Sequence, residues 1–433
     1  MVTEVAVRPA NRRIGLPGTV AFWSLAAMLC LLQFASAAPS PMYGIYQHAW
    51  HFSPVTLTAV YAANALALLV TLLFVGSLSD HVGRRPVLLV AALTEVAAMT
   101  AFAMADGVAW LVAGRVLQGV ATGTASGAIS AMLIDLQKPG SRLGALMTNV
   151  AASGGIALGA LGSGLLVQYG PAPTRLVYVL LLTSFAGLLL LAFAMPETVT
   201  ADGAWRRSLR PRAAVPPSVR GAYAALLPSI VAAWALAGLY LSLGPSVVAT
   251  LSHSTDHLVG GLVIVALNGT AVVLSVLGRG WSPERALYLG SGLLMAGVAL
   301  AMLALNAHVT ALFFAGTMVA GAGFGPSFSG ALRILTGLAP AERRAEVVTA
   351  IYLAAYLGLS VPAVVAGVAV THAGLFATAY GYGVGVIALT GLAVLTSLRG
   401  RRRAATARAT APLSPHHQLP PCPGGTPALA RHR

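Results

Sequence analysis

Hydrophobic positions along the chain fall into twelve long blocks, at 19–41, 55–76, 87–105, 108–135, 143–169, 175–195, 221–249, 258–279, 285–305, 309–336, 345–371 and 374–398. A bilayer core about 30 Å thick takes about 20 apolar helical residues, and each block is close to that length or longer. Membrane barrel strands would alternate over about ten residues. Continuous runs instead predict helices, which satisfy their backbone polar groups within each segment. The pattern predicts an all-α membrane protein with twelve transmembrane helices.

One polar interruption stands out, the Arg- and Pro-rich stretch 199–220, and it separates six blocks from six. The two halves repeat. Gly76 and Gly278 end the second and eighth blocks, Gly119 and Gly321 lie in the fourth and tenth, and Gly123 and Gly325 follow them. Arg142 and Arg344 precede the fifth and eleventh, and every pair is 202 residues apart. Two six-helix bundles related this way imply a pseudo-two-fold axis along the membrane normal, with a site between them at the midplane. The expected organisation is a segment 1–18, a bundle 19–198, a linker 199–220, a bundle 221–398 and a disordered basic, Pro-rich tail 399–433. Ala35-Ser36-Ala37 looks like a signal-peptide cleavage site. The six-plus-six pattern needs the first helix, which predicts that it is retained.

Composition now changes meaning. Hydrophobic residues are 57% of the 433, charged residues only 9%, and the formal net charge is +15. A soluble domain carries about 25% charged residues. Of the 26 basic residues, all but Arg115, Arg175 and Arg333 fall in the N-terminal segment, alternate loops, the linker or the tail. That bias follows the positive-inside rule. It predicts a multi-pass cell-membrane protein with both termini cytoplasmic, and it removes the need for a nucleic-acid partner. Cys30 and Cys422 imply no disulfide framework, and His416, His417, Cys422 and His432 match no zinc spacing.

Between the second and third blocks the chain reads Gly76-Ser-Leu-Ser-Asp80-His-Val-Gly83-Arg84-Arg85. This G-x-L-x-D-x-x-G-R-R loop resembles the signature loop of the major facilitator superfamily. Gly83 permits a tight turn. Asp80 offers a carboxylate to a helix N-terminus or to nearby arginines, and Arg84 and Arg85 suit anionic headgroups. The resemblance implies a cytoplasmic latch between the bundles, released as they rock. Arg115-Val-Leu-Gln118-Gly119 is similar to the R-x-x-Q-G element of the same superfamily. Gly155-x-x-x-Gly159-Ala160 looks like its antiporter element G-x-x-x-G-P, with alanine in place of proline. Small residues at this spacing also serve plain close packing. Pro196-Glu197-Thr198 closes the sixth block as in drug and sugar members.

Of eleven acidic residues only Glu95 lies deep in a block. It sits about 14 Å from the cytoplasmic edge, and Arg115 falls within about 6 Å of the same height. Intramembrane ionisable residues are functional candidates whose partners should be named. Glu95 and Arg115 are expected to form a buried pair or to exchange a proton. Gln33, Asn64, Gln118, Asn149, Trp234, Tyr240, Asn268, Tyr352 and Tyr356 are candidate cavity residues, on helices that the resemblance places around the centre. They describe a neutral, aromatic cavity for an amphipathic or uncharged substrate. Gly321 to Pro326 and Gly244-Pro245 predict bent or broken helices serving as gates, or plain kinks.

The expected function is secondary active transport by alternating access, with proton-coupled efflux of a drug-like or sugar-like molecule by a monomer in the bilayer. No Walker loop is present, and no cofactor or metal is expected. The alternatives are a facilitator or symporter importing a small metabolite and, more remotely, a membrane enzyme built on His48, His51, His253, Asp256 and His257.

Overall fold

The computed structural model describes residues 16–75, 78–138, 141, 143–199, 214–254 and 256–410, without the side chains of Asp80, Ala145, Ala341 and 400–410. Gly76, Arg142, most of the linker, the first fifteen residues and the tail histidines with Cys422 lie outside the described residues.

Every regular element among the described residues is helical, and twelve helices are long and apolar enough to cross a membrane. They are α1 (Gly18–Ala37), α2 (Pro54–Val75), α3 (Arg84–Ala103), α4 (Val108–Leu136), α5 (Leu143–Tyr169) and α6 (Leu176–Phe193), then α7 (Pro217–Ser242), α8 (His257–Leu277), α9 (Pro283–Ala307), α10 (Thr310–Leu338), α11 (Arg344–Ala373) and α12 (Leu375–Thr410). Short helices Tyr43–Trp50 and Gly244–Ser252 extend α1 and α7, and Leu78–Val82 lies in the loop before α3.

Helix ends shift from the sequence reading, and two of the shifts have a clear physical reason. α7 starts at Pro217, earlier than 221, because a proline at the first helical position loses no intrahelical hydrogen bond. α12 runs to Thr410, so 399–410 is helical rather than part of a disordered tail. Its alanines and arginines are strong helix formers.

The first bundle packs α2 and α3 on α4, α1 on α5 and α3 on α6. The second packs α8 and α9 on α10, α7 on α11 and α12, and α9 on α12. The repeat glycines explain part of this. A side chain at Gly119 or Gly123 would strike α2 at Asn64, Ala67 or Leu68; one at Gly321 or Gly325 would strike α8 at Leu267 or Ala271. The same two positions bring the equivalent helix pairs together in each half. α7 is interrupted after Ser242 and resumes at Gly244, as expected of Gly244-Pro245. α10 is not broken and runs as one helix through Pro326. Gly323 lies against Leu294 of α9 and Gly325 against Ser275 of α8, so close packing on two sides holds the segment helical.

Candidate functional site

The loop before α3 is clamped to its own bundle. Gly83 takes φ 104°, a conformation that favours glycine, and starts α3 without a side-chain cap of its own. Glu197, beyond α6, supplies that cap: its carboxylate accepts from the backbone N–H of Arg84 at 2.9 Å and of Arg85 at 3.0 Å. The Arg84 guanidinium pairs with Asp135 at the end of α4 and donates to the Thr198 hydroxyl. These contacts tie α3, α4 and the end of α6 together. The sequence singled out Arg84, but gave Glu197 no contact and left Asp135 unmarked. The Asp80 side chain and Gly76 lie outside the described residues.

Arg115 is fully buried, at 0% exposure. Its Nε donates to the Tyr43 hydroxyl at 2.9 Å, and its Nη1 to the Ser36 carbonyl at 2.8 Å and to Gln118 Oε1 at 2.7 Å. The rings of Tyr43, Tyr61 and Phe102 flank the guanidinium at 5.5, 5.7 and 5.9 Å. Burying a charge costs several kcal/mol. Hydrogen bonds to a charged group contribute about 1.5–3 kcal/mol each, and a desolvated cation–π contact up to about 2. Together they offset the cost without a carboxylate.

The expected direct pair with Glu95 is therefore corrected: no ion pair within 4 Å joins them, and Gln118 stands between. Gln118 lies three residues after Arg115 on the same helix face. Arg115 only donates, so it fixes the Gln118 oxygen toward itself and leaves the amide NH2 to face Glu95 Oε1 at 3.4 Å. Asn64 donates to the same Gln118 oxygen at 2.9 Å. Glu95 is 0% exposed, and its Oε2 has no hydrogen-bond partner.

The other candidate residues divide into groups. Gln33 is half-buried at the α1–α5 contact and Asn149 is exposed on α5. Asn268 spends its amide on the Ile264 carbonyl of its own helix at 3.1 Å. The Tyr240 hydroxyl meets Thr317 at 2.9 Å beside a small apolar cavity within the second bundle. Trp234, Tyr352 and Tyr356 join Phe328, which the sequence reading missed, in one aromatic cluster.

The bundles meet at the end opposite the Arg84 loop. There Gly261 of α8 lies on the Ala160 carbonyl of α5, and Gly367 of α11 on Thr58 and Pro54 of α2. The His257 backbone donates to Gln168 Oε1 across the same junction at 3.1 Å. Among the described residues no three metal-binding side chains gather. His51 and His253 terminate short helices with φ near 50°, and Asp256 caps α8 through the Leu258 N–H at 2.8 Å.

The family model of the Major Facilitator Superfamily matches residues 25–362. The chain belongs to that superfamily. A crystal structure of peptide transporter POT in complex with sulfate is similar in fold, with a TM-score of 0.70 and 14% identity over 87% of this chain and 94% of that one. Comparison with curated proteins by sequence finds no match.

As a Major Facilitator Superfamily member the chain is a multi-pass membrane transporter of small substrates. Its R-x-x-Q-G element is the Arg115–Gln118 pair described above, and the glycine after it is what lets α4 lie against α2. The α5 glycines of the antiporter-like element, Gly155 and Gly159, sit on the α1 backbone at Cys30 and Phe34. Close packing accounts for them.

Proposed function

We propose that this chain is a monomeric secondary active transporter of the cell membrane. It works by alternating access and exports a small amphipathic or uncharged molecule in exchange for protons. Both termini lie in the cytoplasm, so the end where the bundles meet faces outward. The observation that carries coupling is the Glu95–Gln118–Arg115 chain. A carboxyl group sealed from water, with one oxygen unpartnered, is linked through an oriented amide to a buried cation. A change in the charge of either end alters which hydrogen bonds Gln118 can keep. Arg115 is held by α1 through Ser36 and by α2 through the Tyr61 ring, so movement of those helices reaches the chain of contacts.

The test is flux in proteoliposomes of the purified chain with and without an imposed pH gradient. Gradient-driven accumulation that collapses with a protonophore supports the reading; flux indifferent to the gradient rejects coupling. A second reading, a facilitator or symporter importing a small metabolite, is favoured by Ala160 in place of the antiporter proline and by the fold neighbour described as a peptide transporter. The direction of gradient-driven flux separates the two. Catalysis forms no part of either reading.

A further inference from the structure

The second bundle contains an aromatic surface that packing alone does not explain. Trp234 of α7 meets Tyr356 of α11 at 4.9 Å and Phe328 of α10 at 5.3 Å between ring centroids, and Tyr352 lies 6.3 Å from Tyr356 and nearly parallel to it. All four residues are half-buried.

Their polar atoms are left unused. A buried tyrosine or tryptophan normally finds a hydrogen-bond partner for its polar tip. Elsewhere in this bundle that rule holds: Tyr223 donates to the Ala350 carbonyl, Tyr240 meets Thr317 and Tyr382 donates to the Ala235 carbonyl. Trp234 breaks it, its Nε1 buried without an acceptor, and among the described residues Tyr352 and Tyr356 make no hydrogen bond through their hydroxyls. Tyr352 and Tyr356 lie on α11, the helix that packs on α2 of the first bundle.

The cluster is free of charge. The nearest ionisable group along α10 is Arg333, which donates to the Trp281 carbonyl. An ionised ligand would lose its hydration here without a counter-charge. Rings already in contact at 4.9–6.4 Å leave no open cage for a compact cation. Each of the four keeps part of its surface exposed, where a flat ligand can stack.

We infer that the Trp234–Phe328–Tyr352–Tyr356 surface binds an uncharged planar aromatic compound bearing hydrogen-bond acceptors, such as carbonyl or ring-nitrogen groups. This inference rests on the transporter reading and names the substrate class of its cavity. The rings stack on the flat ligand, and the tyrosine hydroxyls and the indole N–H meet its acceptors.

The experiment uses the full chain in lipid nanodiscs with lumichrome, a neutral tricyclic dione, and dialanine as a non-aromatic comparison. Binding is read by quenching of tryptophan emission and by calorimetry. Saturable lumichrome binding is expected, weakened about tenfold by Trp234→Leu and by Tyr356→Leu, in keeping with the loss of one stacking partner. Tyr356→Phe keeps the ring and loses only a few-fold. A wild-type chain that does not bind lumichrome overturns the inference. So does binding unchanged in Trp234→Leu and Tyr356→Leu proteins of wild-type melting temperature. Gradient-driven flux of dialanine without lumichrome binding rejects the aromatic class and leaves the transporter reading standing. Lumichrome that binds but never crosses proteoliposomes supports the ligand site, overturns its assignment as the substrate class and leaves the transporter reading standing.

Discussion

The Gln118 side-chain oxygen accepts from Arg115 at 2.7 Å, and this bond, with the one from Asn64 to the same oxygen, decides which way the amide faces. With the oxygen held by a group that only donates, the NH2 has to point at Glu95. Gln118→Leu removes the link. Glu95 then has no partner, and Arg115 loses one of its acceptors. The expected result is folded protein with a lower melting temperature, whose transport no longer responds to a pH gradient. Gln118→Glu keeps the acceptor for Arg115 but loses the donor for Glu95, so coupling is lost while the melting temperature falls less. Proteoliposome flux at matched and unmatched pH checks both; a wild-type gradient response in both variants removes Gln118 from coupling.

Arg115 is a planar fork serving three acceptors at once, the Tyr43 hydroxyl, the Ser36 carbonyl and Gln118 Oε1. A lysine presents one compact charge and cannot reach all three. Arg115→Lys is therefore expected to destabilise the chain by about 3–5 kcal/mol, the range for a buried charge that loses its partners. Arg115→Met leaves no charge to solvate and is expected to cost less. Thermal melting in detergent compares them, and a lysine variant as stable as wild type contradicts the network.

The twelve helices and the six-plus-six division were legible because apolar blocks of about 20 residues have one physical solution in a bilayer. The glycine pairs at Gly119/Gly123 and Gly321/Gly325 marked the repeat, but only the folded chain shows that each pair brings two helices together. Glu95 and Arg115 were visible as rare charges in apolar blocks, yet their separation was not. Height along two helices says nothing of rotation about them, and Gln118, read as a cavity residue and as part of the R-x-x-Q-G element, fills the gap. Glu197 was hidden for another reason. It caps a helix more than a hundred positions earlier in the chain, and only the folded bundle brings the end of α6 to the start of α3. Phe328 carried no signal that set it apart from other apolar residues.

Glu197 holds the first two N–H groups of α3. Glu197→Ala leaves them to water and is expected to cost about 1 kcal/mol, as for other lost caps. Glu197→Gln keeps one accepting oxygen and is expected to cost less. Hydrogen exchange of the Arg84 and Arg85 amides reports the change directly: both are expected to exchange faster in the alanine variant, with amides in the middle of α3 unaffected. Unchanged exchange at both positions removes the cap.

The last expectation concerns the closed end. Gly261 and Gly367 have no room for a side chain, since one at Gly261 meets the Ala160 carbonyl and one at Gly367 meets Thr58 and the Pro54 carbonyl. Helices packed through ordinary side chains sit about 8–10 Å apart, and glycine allows a closer approach. Gly261→Leu is therefore expected to wedge α5 from α8 by a few ångströms, and Gly367→Leu to do the same to α2 and α11. Neither glycine touches the Arg115 network, so the bundles themselves stay folded. Spin labels at Gln168→Cys and His257→Cys, in a chain with Cys30 and Cys422 replaced by serine, report the separation across the junction. The distance distribution is expected to lengthen in both leucine variants. Distributions that stay at the wild-type distance mean that these glycines do not set the closure.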